Sequence, residues 1–457
     1  MSYKGERRSR TFLPSQILVG SFAGAIVLGS ILLYLPFSAT DGHTDFIDCL
    51  FTATSATCVT GLVVTGTGSH FTTSGQAIIL ALIQFGGIGI MTAGIFLTLL
   101  FGRSLSMKEQ AIIKDTLNPL RPRRVGFVVV YTVLFTIVIE SFGVALLHSP
   151  FVRYGAQRPL WTAVFHSVSA FCNAGFSTFD TNLEQLGLFP SISMVIMVLL
   201  ILGGLGFFVI LDAISGLKRR FTGATPKKAP LMTLHTRLAL IVTVWLLLVG
   251  MLGLYALEQD HACKEMDALT GLRESLFLSA SARTAGFSTF PVSNLSNASQ
   301  FFLSLLMFIG ACPGSTGGGI KTVTFALVVF FAAARIRGKS EVNVMNRRIP
   351  ESVISKSLAI TSLSILVVSL SILALLVLEK DTPASPSFMQ VLFEATSAFG
   401  TVGLSTGITA SLTTGGKLVI IALMFLGRLG PLTVATLVAT KARTSTYSYP
   451  EEDVMVG

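Results

Sequence analysis

Four stretches of this 457-residue chain share a pattern suited to binding a cation with backbone oxygens rather than side chains. They read Phe51-Thr-Ala-Thr-Ser-Ala-Thr-Cys-Val-Thr-Gly61, Phe165-His-Ser-Val-Ser-Ala-Phe-Cys-Asn-Ala-Gly175, Phe277-Leu-Ser-Ala-Ser-Ala-Arg-Thr-Ala-Gly286 and Phe393-Glu-Ala-Thr-Ser-Ala-Phe-Gly-Thr-Val-Gly403, with glycine-to-glycine intervals of 114, 111 and 117 residues. A second glycine cluster follows each one: Gly86-Gly-Ile-Gly89, Gly203-Gly-Leu-Gly206, Gly310-Ala-Cys-Pro-Gly314 and Gly427-Arg-Leu-Gly430. Self-similarity at a fixed period marks an internal repeat. Glycine at a turn tip takes backbone angles that aim carbonyls inward without filling the space between them. Four such turns about one axis make a ring of carbonyls able to replace an ion's hydration shell, which is the chemistry of a potassium filter.

Two further features bear on ion passage. Residues 300–309 and 323–334 each supply about half a membrane-spanning helix, so 310–321 (Gly-Ala-Cys-Pro-Gly-Ser-Thr-Gly-Gly-Gly-Ile-Lys) is expected as a loose loop near mid-depth, where Pro313 cannot continue a helix. The stretch looks like a phosphate loop, but Ile320 separates Gly319 from Lys321 and apolar helical halves flank it, which argues against a nucleotide site. Arg428 falls inside an apolar stretch, where an arginine costs about 2.5–3.5 kcal/mol and must face protein or a wet pore. Free carbonyls of the broken helix are its natural acceptors; an ion pair with Glu140 or Glu394 is the alternative.

The positioning elements follow from composition and length. Hydrophobic residues make up 51% of the chain and charged ones 12%, about half the charge of a soluble domain, so the apolar surplus must face lipid. Apolar stretches begin near Pro14, Gly75, Gly126, Pro190, Thr236, Lys356 and Gly416, and 300–334 is an interrupted eighth. Residues 45–57 are too few to cross a bilayer as a helix of about 20 Å, so that segment is expected to be re-entrant. Non-helical backbone at that depth is tolerated only where it is buried or lines a wet cavity. Of the 33 basic residues, 24 cluster in five places: Lys4 to Arg10, Arg103 to Arg124, Lys218 to Arg237, Arg335 to Lys356, and Lys441 with Arg443. The intervening segments carry acids such as Asp41, Glu258 and Glu379. By the positive-inside rule both termini are cytoplasmic, with eight spans. No contiguous basic recognition face argues for nucleic acid, and five scattered cysteines with no CxxC pair form no disulfide framework. No catalytic Ser/His/Asp or paired-carboxylate arrangement lies outside the membrane, so an enzyme is not expected.

Taken in order, the four turns, Ser281-Ala-Arg-Thr-Ala-Gly286-Phe, the 310–321 loop, Gly427-Arg428-Leu-Gly-Pro431-Leu and the tail Tyr449-Pro-Glu-Glu-Asp-Val-Met-Val-Gly457 resemble the Trk/Ktr/HKT superfamily of potassium transporters, especially its bacterial Ktr (KtrB-like) membrane subunits. The resemblance implies an all-α integral membrane fold of four tandem span, re-entrant pore helix, span repeats around a pseudo-fourfold pore. The segments are then 1–13, 14–103, 124–218, 235–337 (with the loop 310–321), 355–441 and 442–457, the first and last being cytoplasmic. It implies an ion-binding filter of Cys58, Val59, Thr60 and Gly61; Cys172, Asn173, Ala174 and Gly175; Thr284, Ala285 and Gly286; and Thr401, Val402 and Gly403. Plant relatives that favour sodium carry serine at the first filter glycine, so Gly61 implies potassium, the only metal expected. The implied gate is Gly310, Gly314, Ser315, Thr316, Gly317, Gly318, Gly319 and Lys321, pinned by Arg428. A homodimer in the bacterial cell membrane is implied, with a cytoplasmic ring of RCK-type (KtrA-like) subunits that carries the nucleotide. This chain then needs no cofactor, potassium is its substrate and sodium a candidate activator.

Several residues stay open at this level. The third turn is one residue shorter and puts Arg283 on the approach to the filter, a shortening the family shares. Lys321 either repels ions at the closed gate or reaches for the cytoplasmic interface. Glu140 and Glu394 either shape the pore field or make helix-end contacts. His166 and Cys172 lack further ligands at metal-binding spacing, and Asp212 is expected at the interface.

Overall fold

The structure is a computed structural model and describes residues 14–88, 125–186, 189–221, 231–264, 266–382, 385–431 and 433. The basic clusters at 4–10 and 103–124, Lys227, Lys228, Gly89, Lys441, Arg443 and the 449–457 tail lie outside them. Helices dominate: α1 (Pro14–Tyr34), α2 (Phe46–Cys58) and α3 (Thr73–Gly87); then α4 (Val125–Tyr154), α5 (Pro159–Phe171), α6 (Pro190–Leu205) and α7 (Phe207–Phe221); then α8 (Leu234–Glu258), α9 (Ala268–Ser281), α10 (Asn297–Phe308) and α11 (Thr322–Ile336); and, after a hairpin of β1 (Asn343–Val344) and β2 (Arg347–Arg348), α12 (Glu351–Leu378), α13 (Phe388–Gly400) and α14 (Thr414–Leu429).

Among the described residues, three single helices, α4, α8 and α12, are long and apolar enough to cross a membrane alone, and α6 with α7 passes the same test as a pair bent by 95°. That bend is unforeseen, since the sequence reading interrupts only the span at 300–334. The break sits at Gly206, whose φ of +81° and ψ of 150° strongly favour glycine over other residues. A Cβ there would also stand 2.8 Å from Gly314 O, so the bend makes room for the loop that follows α10.

Local chemistry explains where the helices begin. Side chains of Thr72, Thr233, Asp267, Ser296, Ser387 and Thr413 accept the first free N–H groups of α3, α8, α9, α10, α13 and α14. Two of these caps are clamped from the preceding long helix. Glu258 Oε1 accepts the N–H (3.0 Å) and hydroxyl (2.7 Å) of Ser296, and Glu379 Oε1 accepts the same groups of Thr413 at 3.0 and 2.6 Å. Asp212 on α7 likewise accepts the N–H (2.9 Å) and hydroxyl (3.0 Å) of Thr233.

The packing is cyclic. α3 lies on α5, α6 on α9, α10 on α13, and α14 returns to α2. The buried clusters sit at these seams, and the first phenylalanine of each repeated segment reaches into the core of the repeat before it. Phe165 joins Ile79 and Leu82, Phe277 joins Ile196 and Leu200, Phe393 joins Leu303 and Leu306, and Phe51 joins Ile420 and Leu423. Lys417 on α14 pairs with Asp48 on α2 at 2.6 Å across the closing seam. Outward faces are apolar: Leu134, Val138 and Phe142 on α4, Trp245 and Leu248 on α8, and Leu370 and Leu373 on α12 are all about half exposed, surface that needs lipid rather than water.

Candidate functional site

The four short helices α2, α5, α9 and α13 end in the same way. Two residues before each key glycine stands a left-handed residue, Val59 (φ +58°), Asn173 (+60°), Thr284 (+73°) and Thr401 (+50°), and the glycines Gly61, Gly175, Gly286 and Gly403 follow at +92°, +70°, +74° and +96°. Such a residue stops a helix by returning N–H groups to its last carbonyls. The serine of each Ser-Ala pair receives that bond: Ser55 O from Thr60 N–H (2.8 Å), Ser169 O from Ala174 (2.7 Å), Ser281 O from Ala285 (2.9 Å) and Ser397 O from Val402 (2.8 Å). In the third turn the bond spans four residues instead of five, so the missing residue is absorbed before Thr284 and the glycine keeps its geometry.

The turns touch in a closed cycle. A Cβ built on Gly61 would stand 2.4 Å from Ala174 O, on Gly175 2.9 Å from Ala285 O, on Gly286 2.4 Å from Val402 O, and on Gly403 2.1 Å from Thr60 O. Each glycine thus abuts the carbonyl preceding the glycine of the next repeat, and only a residue without a side chain fits. The negative ends of four helix dipoles converge on this ring. A cavity of about 210 Å³ opens on the ring's outer side, lined by all four glycines and by Asp180, Glu184, Ser405 and Thr409, with no Lys or Arg among the described residues of its wall. Burial pushes the Glu184 carboxyl above its ordinary range. Its charge is therefore lost earlier on acidification than a free carboxylate's.

Beneath the ring lies the loop between α10 and α11. Gly318 N–H donates to Thr401 Oγ1 at 3.1 Å, and a Cβ on Gly317 would meet Thr284 Oγ1 at 2.0 Å, so the loop rests on two of the turns. It also satisfies carbonyls left free where other helices stop. Cys312 and Thr316 donate N–H groups to Gly204 O (3.0 Å) and Gly203 O (3.4 Å) at the end of α6, and Gly319 donates to Gly427 O on α14 (3.3 Å). Arg428 donates to Thr316 O in the loop and to Gly86 O at the end of α3; its partners are carbonyls, not the carboxylates of Glu140 or Glu394. Lys321 folds back on the loop, Nζ to Gly317 O at 2.5 Å, instead of reaching outward. Arg283 is buried under its turn beside Cys312, not at the outer approach.

The remaining polar residues brace the turns. Glu140 on α4 accepts from Gln84 (3.2 Å) and from the Cys172 thiol (3.6 Å). Glu394 accepts from Ser405 (2.9 Å) and Thr409, both in the outer wall. His166 has both ring nitrogens engaged, by Thr162 O and Ser177 Oγ at 2.9 Å each.

Sequence reasoning passed over Asp180 and Glu184 and over the four braces, although the Ser-Ala pair recurs in every segment. Ser55 Oγ accepts Gly61 N–H at 3.0 Å and Ser397 Oγ accepts Gly403 N–H at 3.1 Å, while Ser169 and Ser281 hold the carbonyls after their glycines, Phe176 O (2.7 Å) and Phe287 O (2.5 Å). Ser397→Ala leaves a buried N–H without an acceptor, a cost of about 1–3 kcal/mol. The expected result is a lower melting temperature and a several-fold loss of cation flux; an unchanged flux would show that the hydroxyl does not brace the turn.

Comparison with known proteins gives the family of the chain. A family model described as TrkH, cation transport protein, matches residues 6–447. The Ktr system potassium uptake protein B of Bacillus subtilis is 39% identical over 450 residues, 98% of this chain and 97% of that protein. The potassium/sodium uptake protein NtpJ of Enterococcus hirae is 34% identical over 464 residues, spanning 100% of both chains. The crystal structure of the potassium transporter TrkH from Vibrio parahaemolyticus shares the fold, with a TM-score of 0.69 at 20% identity over 96% of this chain and 87% of that one. A family model that spans residues 6–447 and a relative 39% identical over 98% of this chain lead to one conclusion: the chain belongs to the TrkH family of cation transport proteins.

Proposed function

We propose that this chain is the pore-forming subunit of a Ktr-type potassium uptake system in a bacterial cell membrane. The observation that carries the reading is the closed cycle of contacts among Gly61, Gly175, Gly286 and Gly403. Carbonyls of 58–61, 172–175, 284–286 and 401–403 replace the hydration shell of potassium, and an inside-negative potential drives entry by about 2.3 kcal/mol per charge per 100 mV. The architecture that goes with this is four repeats around a pseudo-fourfold axis, eight spans and both termini cytoplasmic. The cyclic packing and the loop charges support it.

The loop 310–321 is the gate, and Arg428 is its latch. Arg283, Lys321 and Arg428 put three cationic groups around the loop, and Arg428 lies close enough to act on Lys321. A potassium ion leaving the filter inward meets both a backbone obstruction and like charge in a medium of low dielectric. Opening must break the bonds by which Arg428 ties the loop, through Thr316 O, to the end of α3, through Gly86 O. The drive comes from a cytoplasmic RCK-type ring on a homodimer of this subunit, and sodium acts as an activator; the Ktr-system and potassium/sodium uptake names of the relatives support both.

The test is potassium flux into proteoliposomes of the purified chain at a set voltage, with and without a sodium gradient. Uptake that follows voltage and is outcompeted weakly by sodium supports the reading; equal sodium and potassium flux overturns it in favour of an unselective conductor of the same fold. In the same assay Gly61→Ser pushes on Ala174 O, 2.4 Å from the new Cβ. The expected result is a loss of preference for potassium over sodium.

A further inference from the structure

Asn182 breaks the fourfold pattern at the filter mouth. It follows Gly175 by seven residues, and the same offset from the other key glycines falls on Gly68, Ser293 and Ala410, none of which carries a carboxamide. Its backbone is left-handed, with φ +57°, a conformation asparagine tolerates better than most residues. Two bonds hold the backbone in place: Asn182 N–H donates to Phe179 O at 3.1 Å, and Leu183 N–H crosses the seam to Ser288 O at 3.1 Å. From this shoulder Nδ2 donates to the carbonyls of two glycines in neighbouring turns, Gly175 O at 3.4 Å and Gly286 O at 3.2 Å. Its Oδ1 is buried with no hydrogen-bond partner among the described residues.

A merely structural asparagine would have both ends of its amide satisfied, because an orphaned buried oxygen is costly. Here the amide is committed to two carbonyls of the outermost ring at the expense of its own oxygen. A carbonyl that already accepts an N–H offers a cation less negative potential, whereas among the described residues no side-chain amide engages the carbonyls of Gly61 and Gly403. Asn182 also ties two turns together at a level where the cavity leaves them facing water. Both effects act on the ring where an arriving ion first sheds water, and both are supplied by one repeat only.

We propose that Asn182 is a specificity-determining residue of the outer filter, whose carboxamide fixes the spacing of the Gly175 and Gly286 carbonyls and leaves those of Gly61 and Gly403 to receive the incoming cation. The proposal rests on the reading of this chain as a potassium pathway. It departs from a fourfold-symmetric filter, because it makes the outermost site two-sided.

The test compares wild type with Asn182→Gly, which removes the donor, and Asn182→Asp, which keeps the shape but replaces the donor with an acceptor. Both residues accept the left-handed backbone. In proteoliposomes, potassium, sodium, rubidium and caesium are set in competition. The expected result is that preference for potassium over sodium falls about fivefold in both variants, the worth of one to two hydrogen bonds, and that only Asn182→Asp lowers the half-saturating concentration of every cation. Ion preference equal to wild type in both variants overturns the proposal, whether or not total flux falls, because a structural role alone would lower flux without changing the order of ions. A wild type that carries no potassium overturns the functional reading instead. The role of Asn182 is then decided by the thermal stabilisation that potassium and sodium each confer, and equal responses in wild type and both variants overturn it.

Discussion

Gly403→Ala is expected to abolish potassium flux in a protein that still folds and purifies as wild type. The new Cβ would stand 2.1 Å from Thr60 O and 3.0 Å from Gly61 Cα. Both are backbone atoms of the adjoining turn, so no side chain can swing aside. The φ of +96° adds strain of about 1–3 kcal/mol for any residue with a side chain. The turn relieves the clash by retreating, and the ring then fails to surround the ion. A loss on the order of 100-fold is expected in a potassium flux assay. The other three glycines allow a graded check, because the corresponding contacts are 2.4 Å at Gly61, 2.4 Å at Gly286 and 2.9 Å at Gly175. Gly175→Ala is therefore expected to be the mildest of the four. Wild-type flux in Gly403→Ala, or a ranking unrelated to these distances, would remove the ring from the ion path.

Arg428→Ala is expected to act in the opposite direction and raise flux in the absence of any partner. The guanidinium joins the loop, through Thr316 O, to the end of α3, through Gly86 O. Hydrogen bonds from a charged donor are worth about 1.5–3 kcal/mol each. Losing even one shifts the balance between closed and open loop about tenfold or more. Arg428→Lys keeps the charge but presents a point donor in place of a planar fork, and is expected to fall between alanine and wild type. The measurement is basal flux in proteoliposomes of the chain alone, beside a thermal melt to show that each variant is intact. Unchanged or reduced flux in an intact Arg428→Ala protein would sink the latch.

Much of this site was legible in the chain because backbone geometry was written into residue type. A glycine recurring at the same place in four segments marks a carbonyl turn whatever surrounds it, and 13 residues from Phe46 to Cys58 form a helix too short to cross a bilayer. Arg428 was legible for a different reason: a charge in an apolar stretch must find acceptors, and a glycine-rich loop offers free carbonyls. Three features were not. The break at Gly206 reads as one more glycine in an apolar run until Gly314 is seen against it. Position in the chain puts Arg283 at the approach to the turn, yet its side chain is buried beside Cys312 of the loop, a direction set by rotamer and packing. Asp180 and Glu184 look like ordinary polar loop residues, and only the folding of the loop over the filter brings them to the cavity wall.

By itself the amino-acid sequence determined the chemistry available to this protein: an apolar chain for lipid, four glycine-tipped turns for carbonyl coordination, and one arginine too costly to leave unpaired. Local rules suffice for these, since helix length, left-handed turns and burial cost depend on neighbours along the chain. Tertiary structure alone decided which carbonyl meets which glycine, so that Gly61 abuts Ala174, Gly175 abuts Ala285, Gly286 abuts Val402 and Gly403 abuts Thr60. It also decided that Arg428 reaches Thr316 across 112 residues and Gly86 across 342, and that Asn182 bridges two turns of a ring that the repeats would otherwise make alike. Those pairings arise from packing the repeats into a closed cycle, in which each buries its phenylalanine in its neighbour, and no local propensity encodes that closure.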